Sequence, residues 1–159
     1  MIAPLDAHAT RPALALNLEL SHGHPGASAR VEIHDAVPAA TGAPLRRVAH
    51  VALRGCIDAV ASRRLGEALD DLALRGVEDV LVDCEDLRHV DFRLVPGLVA
   101  TLERFEARSG GVVMCGLSRY LRDLFRLAGC DSRLTTWPSA TELLETTMHA
   151  PEAGRECAS

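Results

Sequence analysis

The sequence predicts an α/β domain built on a mostly parallel sheet of about five strands with about four helices, the first strand antiparallel. Three observations carry this reading. Residues 77–83 and 112–116 are short and almost continuously apolar, as strands buried on both faces are. Around them, apolar residues recur at helical spacing. The helical stretches open on Asp or Ser and close on glycine, the asymmetry expected of helix caps. At 159 residues, 48% of them hydrophobic, the chain is long enough for one domain to bury a core without disulfides.

In chain order, residues 1–29 form an N-terminal arm. Within it Leu14, Leu16, Leu18 and Leu20 recur at period two, which reads either as one extra strand or as a partly ordered arm. Gly23, Pro25 and Gly26 then break any regular structure. Residues 30–35 alternate, with Val31 and Ile33 on one side and Glu32 and His34 on the other, and make the first strand of the domain. A loop containing Pro38, Gly42 and Pro44 leads to a second alternating strand from Arg47, ended by Gly55. That connection is too short for a helical crossover, so these two strands are expected to be antiparallel.

Asp58 is placed to accept first-turn backbone N–H groups of a helix that carries Ala61, Leu65, Ala68, Leu69 and Leu72 on its inner stripe and ends at Gly76. After the strand at 77–83, Leu94, Leu98, Leu102 and Phe105 form a second helical stripe, stopped by Gly110 and Gly111. Ser118 caps a third helix with Leu121, Leu124 and Phe125, closed by Gly129. A last strand covers 133–137. Ser139 and Glu142 form a capping box ahead of a final helix with Leu143, Leu144 and Met148. The domain spans 30–150, and 151–159 reads as a flexible C-terminal tail.

Composition narrows the function classes. The formal charge is −5, and all 17 basic residues are arginine. An acidic balance with scattered arginines argues against a nucleic-acid-binding face. No apolar run approaches the about 20 residues that cross a bilayer. The early Asp6, with no basic segment ahead of an apolar stretch, argues against a signal peptide. A cytoplasmic protein without membrane insertion is expected. The five cysteines, Cys56, Cys84, Cys115, Cys130 and Cys157, contain no Cys-x-x-Cys pair. A zinc site normally draws two ligands from one tight turn, so none is expected, and His22 and His24 with His8 or His34 are a weak signal for any metal. There is no nucleophile elbow, phosphate loop or dinucleotide-binding turn. Without lysine, Schiff-base chemistry is unavailable. Neither catalysis nor a cofactor is expected, and a small α/β nucleotide binder stays as an alternative.

The order of elements and the residues at their ends resemble the STAS domain, the sulfate-transporter and anti-sigma-factor-antagonist family, over about residues 30–150. The resemblance rests on Leu53-Arg54-Gly55-Cys56-Ile57-Asp58, on Val80-Leu81-Val82-Asp83, and on His89-Val90-Asp91, which stands where the family has Ile-Asp-Ser-Ser-Gly. It rests further on the Gly110-Gly111 approach to Val112-Val113-Met114-Cys115-Gly116, on Leu127-Ala128-Gly129, and on Ser139 to Leu143. It implies a small sheet with helices chiefly on one face, and a protein-interaction module that binds an anti-sigma factor or another signalling protein. In bacterial members of the antagonist type, the second serine of that motif is phosphorylated by the partner. The added charge of about −1.5 to −2 then ejects it. Here Phe92-Arg93-Leu94-Val95-Pro96-Gly97 follows Asp91, so Arg93 occupies the phosphoacceptor position and the serine switch is expected to be lost. Thr101, the next hydroxyl, lies two turns into the predicted helix.

Each candidate residue has a plainer reading beside the functional one. Asp58 either touches a partner or only caps its helix. Asp91 holds its loop, faces a partner, or does both. Phe92 and Val95 either line the surface or seal the core. Arg93 is a solvated charge or an anchor for a partner carboxylate. Gly97 is the family glycine if the loop carries an insertion. Cys84 and Cys115, near the ends of neighbouring strands, are a redox pair or two buried thiols. The resulting expectation is an anti-sigma factor antagonist-like module, with a homodimer left open. The alternatives are a STAS accessory subunit of a transporter or stress-signalling complex, and the nucleotide binder above.

Overall fold

In a computed structural model, residues 13–23, 25–36 and 46–138 are described. The predicted final helix with its Ser139–Glu142 box, His8, His24 and Cys157 lie outside them. Among the described residues, six strands form one sheet in the order β1-β2-β3-β4-β5-β6. They are β1 (Leu14–Ser21), β2 (Ala27–Ala36), β3 (Arg46–Ile57), β4 (Asp79–Val90), β5 (Gly111–Cys115) and β6 (Thr135–Trp137). β2 runs antiparallel to both of its neighbours, β1 and β3, whereas β3 through β6 are parallel. The parallel part needs crossovers, and three helices supply them: α1 (Ala59–Leu74), α2 (Val95–Ser109) and α3 (Arg119–Leu127). Because the strand order advances steadily, right-handed crossovers put all three on one face.

The core follows from this layering. Leu65, Leu69 and Leu72 of α1, Leu98, Leu102 and Phe105 of α2, and Leu121, Leu124 and Phe125 of α3 join one cluster with Val80, Val82 and Cys84 of β4. Burying each such side chain is worth about 1.5–3 kcal/mol before chain entropy is set against it. Leu81 and Cys115 form a separate small cluster with Val113 on the opposite face.

Two of the differences from the expected boundaries matter for the site. β3 does not stop at Gly55 but continues to Ile57. Gly55 adopts φ +86°, and a Cβ there would fall 2.0 Å from the Gly26 carbonyl oxygen, so glycine lets the strand pass close to the β1–β2 turn. β4 runs on to Val90 rather than ending at Asp83. The register between β3 and β4 shifts between Ala52 and Arg54 and again between Gly55 and Cys56. These irregularities bring Leu87 and Val90 to the core with a spacing of three instead of two, which hid the strand from a period-two reading.

Candidate functional site

The site lies where β3 and β4 end and the helices begin. Ile57 pairs with Val90, so Asp58 and Asp91 leave the sheet side by side, and the Asp91 N–H donates to the Ile57 carbonyl at 3.2 Å. Asp58 is exposed, and its Oδ1 accepts the Ala61 N–H at 2.8 Å as the N-cap of α1. A 3-10 turn, Phe92–Leu94, separates β4 from α2, with Asp91 as its cap. Asp91 Oδ1 accepts the Arg93 N–H at 3.1 Å, and Oδ2 accepts Arg93 Nη2 at 3.3 Å. The Arg93 side-chain and backbone bonds hold the Asp91 carboxyl below the usual carboxylate range. The Arg93 side chain is 86% exposed, so this clasp lies open to any molecule that approaches.

Phe92 is an exposed aromatic at 47% of its surface, but Val95 is fully buried and joins the core. Val95 is therefore corrected from a partner-contact candidate to a packing residue. The 3-10 turn rotates the chain so that the first residue of α2 faces inward. Gly97 is exposed, with open space where a side chain would stand. Thr101 donates its hydroxyl to the Gly97 carbonyl at 2.9 Å, and its methyl faces Gly66 of α1. That hydroxyl is turned back along α2 and does not belong to the loop.

The structure adds three residues that sequence reasoning missed. His89, half-buried on β4, stacks on Tyr120 in the first turn of α3, with ring centroids 5.8 Å apart. The Tyr120 hydroxyl and His89 Nδ1 are hydrogen-bonded at 2.6 Å. Tyr120 remains half exposed, as does Val60 in the first turn of α1. The Ser118 cap of α3, through the Leu121 N–H at 3.1 Å, was legible and places Tyr120 in the first turn of that helix, but nothing local to either residue showed the stack on His89.

The Cys84–Cys115 redox pair is also corrected. Cys84 belongs to the helix-side core, and Cys115 to the small cluster on the other face. Side chains that leave a sheet on opposite faces cannot be bridged. Both thiols are free and buried. Burial raises the Cys84 thiol, and burial with the Asp83 and Glu85 charges pushes Cys115 up to about 12. Cys130 is buried too, and Cys56 is half-buried. His22 pairs with Glu19 at the β1–β2 turn, while His34 is buried near the other end of that hairpin, so the two do not meet.

On the helix-free face His50 Nε2 lies 2.9 Å from Asp83 Oδ2. Burial raises the Asp83 carboxyl, but the His50 hydrogen bond, the Glu85 N–H and the His50 charge together outweigh it and hold it low. A polar cleft of about 220 Å³ is bordered by Arg54, Glu85, Asp86 and Arg88. Another of about 240 Å³, between α3, β5 and β6, has an apolar floor with Arg122 and Arg126 at its rim. Both fall short of the about 300–1,000 Å³ typical of sites that enclose a small molecule. Among the described residues, no helix is long and apolar enough to cross a membrane.

A family model described as "Mlab, STAS domain" matches residues 43–146, which leaves β1 and β2 ahead of the matched span. No curated protein gave a significant match. The anti-sigma factor antagonist SpoIIAA in its unphosphorylated form superposes with a TM-score of 0.52 at 21% identity, over 62% of this chain and 85% of that one. An anti-sigma factor antagonist from Mycobacterium paratuberculosis superposes with a TM-score of 0.50 at 23% identity, over 73% and 94%. The NMR structure of the protein TM1081 superposes with a TM-score of 0.56 at 12% identity, over 64% and 82%. At these identities the likeness is one of fold.

Proposed function

The chain belongs to the STAS domain family, and from that premise we propose that it is a protein-interaction module of the anti-sigma factor antagonist type, binding an anti-sigma factor or a related signalling protein in the cytoplasm. The observation that carries this reading is the exposed end of the sheet. Asp58 and Asp91 leave adjacent strands there, and Val60, Phe92 and Tyr120 stay open to solvent at the helix starts. Open α/β sheets place their functional groups at the carboxyl ends of their strands. Interfaces concentrate their energy in a few aromatic and arginine residues. Docking at this end would block a partner's contact with its other ligand by competition, with no bond made or broken in the process.

The same reading holds that binding proceeds without a serine switch. Arg93 stands where relatives of the antagonist type carry the phosphoacceptor, and its guanidinium has no hydroxyl to modify. Its charge is opposite to that of a phosphate and is already engaged with Asp91. The alternative reading is a STAS accessory subunit of a transporter or stress-signalling complex.

Affinity capture of the full chain from its native lysate, followed by mass spectrometry, identifies the partner and separates the two readings. Calorimetric titration of that partner then tests the surface. Arg93→Glu is expected to weaken binding at least tenfold, with the melting temperature unchanged within about 1 °C, since Arg93 makes only exposed contacts. Equal affinity for the two proteins would remove this face from the interface.

A further inference from the structure

We propose that β1 is a self-association edge, through which two copies of this chain pair antiparallel about Asn17 and join their sheets into one. The inference is independent of the surface at the carboxyl ends of β3 and β4. It starts from the difference between the two ends of the sheet. β6 has three residues and is followed at once by Pro138, which has no N–H to extend a ladder. It is a blunted edge. β1 has eight residues, no proline and a single charge, Glu19, and among the described residues no strand lies along its outer side. A long neutral edge of this kind is a template for another strand.

The strand's outer groups can be identified. Arg64 of α1 donates to the Glu19 carbonyl at 3.4 Å, so the Glu19 backbone points away from β2. With the period of two, the backbone groups of Ala15 and Asn17 point outward as well. The side chains of Ala15, Asn17 and Glu19 are exposed, while Leu16 and Leu18 pack against the helix-side core and Leu14 shares their face by the period of two. Leu14 is 38% exposed, and Leu16 and Leu18 are only partly covered.

The occupant that fits is a second copy, because the pattern is its own complement. A two-fold axis through Asn17 sets the two Asn17 residues opposite each other and Ala15 opposite the other copy's Glu19. Leu16 then faces the other copy's Leu18 on the helix side. No like charges meet, the half-covered leucines of both copies form one continuous apolar row, and the outward N–H and C=O groups of Ala15, Asn17 and Glu19 find partners. Such an isologous contact closes on itself and stops at a dimer. Among the described residues, the Arg64 bond to the Glu19 carbonyl guards this edge, and it is long and exposed.

The test uses the full chain and its mass in solution, by sedimentation equilibrium over a wide concentration range. The wild type is expected to reach the mass of a dimer. Asn17→Asp places two carboxylates face to face on the axis, and Asn17→Lys two ammonium groups. Each is expected to weaken the dimer about fivefold or more, while far-UV circular dichroism and the melting temperature measured well below the dimer's dissociation constant stay at the wild-type values. An equimolar mixture of the two variants sets unlike charges opposite each other and is expected to recover the dimer. A wild type that stays monomeric at the highest concentration overturns the proposal. So does a dimer indifferent to both variants, or a mixture that fails to associate better than either variant alone.

Discussion

Replacing Asp58 separates its two roles, because the cap and the charge can be removed independently. In the structure Oδ1 accepts the Ala61 N–H at 2.8 Å, at the start of a helix whose Ala61, Leu65, Leu69 and Leu72 are all buried. The first turn cannot fray without disturbing Ala61, so loss of the cap is felt by the whole domain. Removing an Asp cap costs about 1 kcal/mol, within a range of about 0.5–2. For a chain of this size, Asp58→Ala is expected to lower the melting temperature by about 3–5 °C. Asp58→Asn keeps an oxygen in the same place and is expected to stay within about 1 °C of the wild type. Thermal unfolding followed by far-UV circular dichroism makes the comparison. A melting temperature unchanged by Asp58→Ala, or lowered as much by Asp58→Asn as by Asp58→Ala, would refute the capping geometry. On the proposed function, Asp58→Asn then reports on the partner alone: lost affinity in a protein of wild-type stability assigns the carboxylate to the interface.

Val95→Ala removes two methyl groups from a fully buried site and is expected to cost about 2 kcal/mol in denaturant unfolding, whereas Phe92→Ala at the neighbouring exposed turn should cost less than about 0.5; equal losses would contradict the inward turn of α2. The Asp83 carboxyl is depressed in the folded chain, so its stabilising contribution is present above the ordinary carboxylate pKa and lost as pH falls through the depressed value. The wild type should therefore lose stability below about pH 4 more steeply than Asp83→Asn. An acid limb remains in both because Glu32 and Asp91 are depressed as well, and identical limbs would exclude the His50–Asp83 pair. Brief alkylation of the native protein with mass-spectrometric mapping should label Cys56 and leave Cys84 and Cys115 unmodified; a Cys84–Cys115 bridge after mild oxidation would disprove their placement on opposite faces.

Much of the fold was readable from local chemistry. The caps at Asp58 and Ser118, the apolar stripes of the three helices and the buried runs around Val82 and Met114 each follow from a rule that acts within a few residues. What was hidden depends on contacts between segments. The end of β4 has its buried residues Cys84, Leu87 and Val90 spaced by three, because it adapts to bulges against β3, and no pattern within β4 shows that. The Tyr120–His89 stack joins residues 31 apart that a crossover brings together. The sequence left open whether Phe92 or Val95 seals the core, since both sit at a junction of loop and helix, and only the pitch of the 3-10 turn points Val95 inward. Adjacency of strands placed Cys84 beside Cys115, but facing was decided by the one-residue offset in the register, in which Asp83 and not Cys84 stands opposite Cys115.

The way the charges at the strand ends are used bears on where binding energy can come from. Asp58 is engaged by a backbone N–H, and Asp91 by the N–H and guanidinium of Arg93. A partner that draws on these carboxylates must first give up or share bonds that already exist, and exposed ion pairs return little for the exchange. Phe92, Tyr120 and Val60 carry no such prior commitment on their exposed sides, and each covers apolar area that only a partner can bury. On the proposed reading the acids and Arg93 therefore set register and reject mismatched charge, while the affinity resides in the aromatic and aliphatic groups at the three helix starts. An interface organised in this way would depend weakly on salt for its dissociation rate and more strongly for its association rate. A serine switch acts by adding charge where the partner must come close; on the proposed reading that place holds Arg93, whose charge is balanced by Asp91.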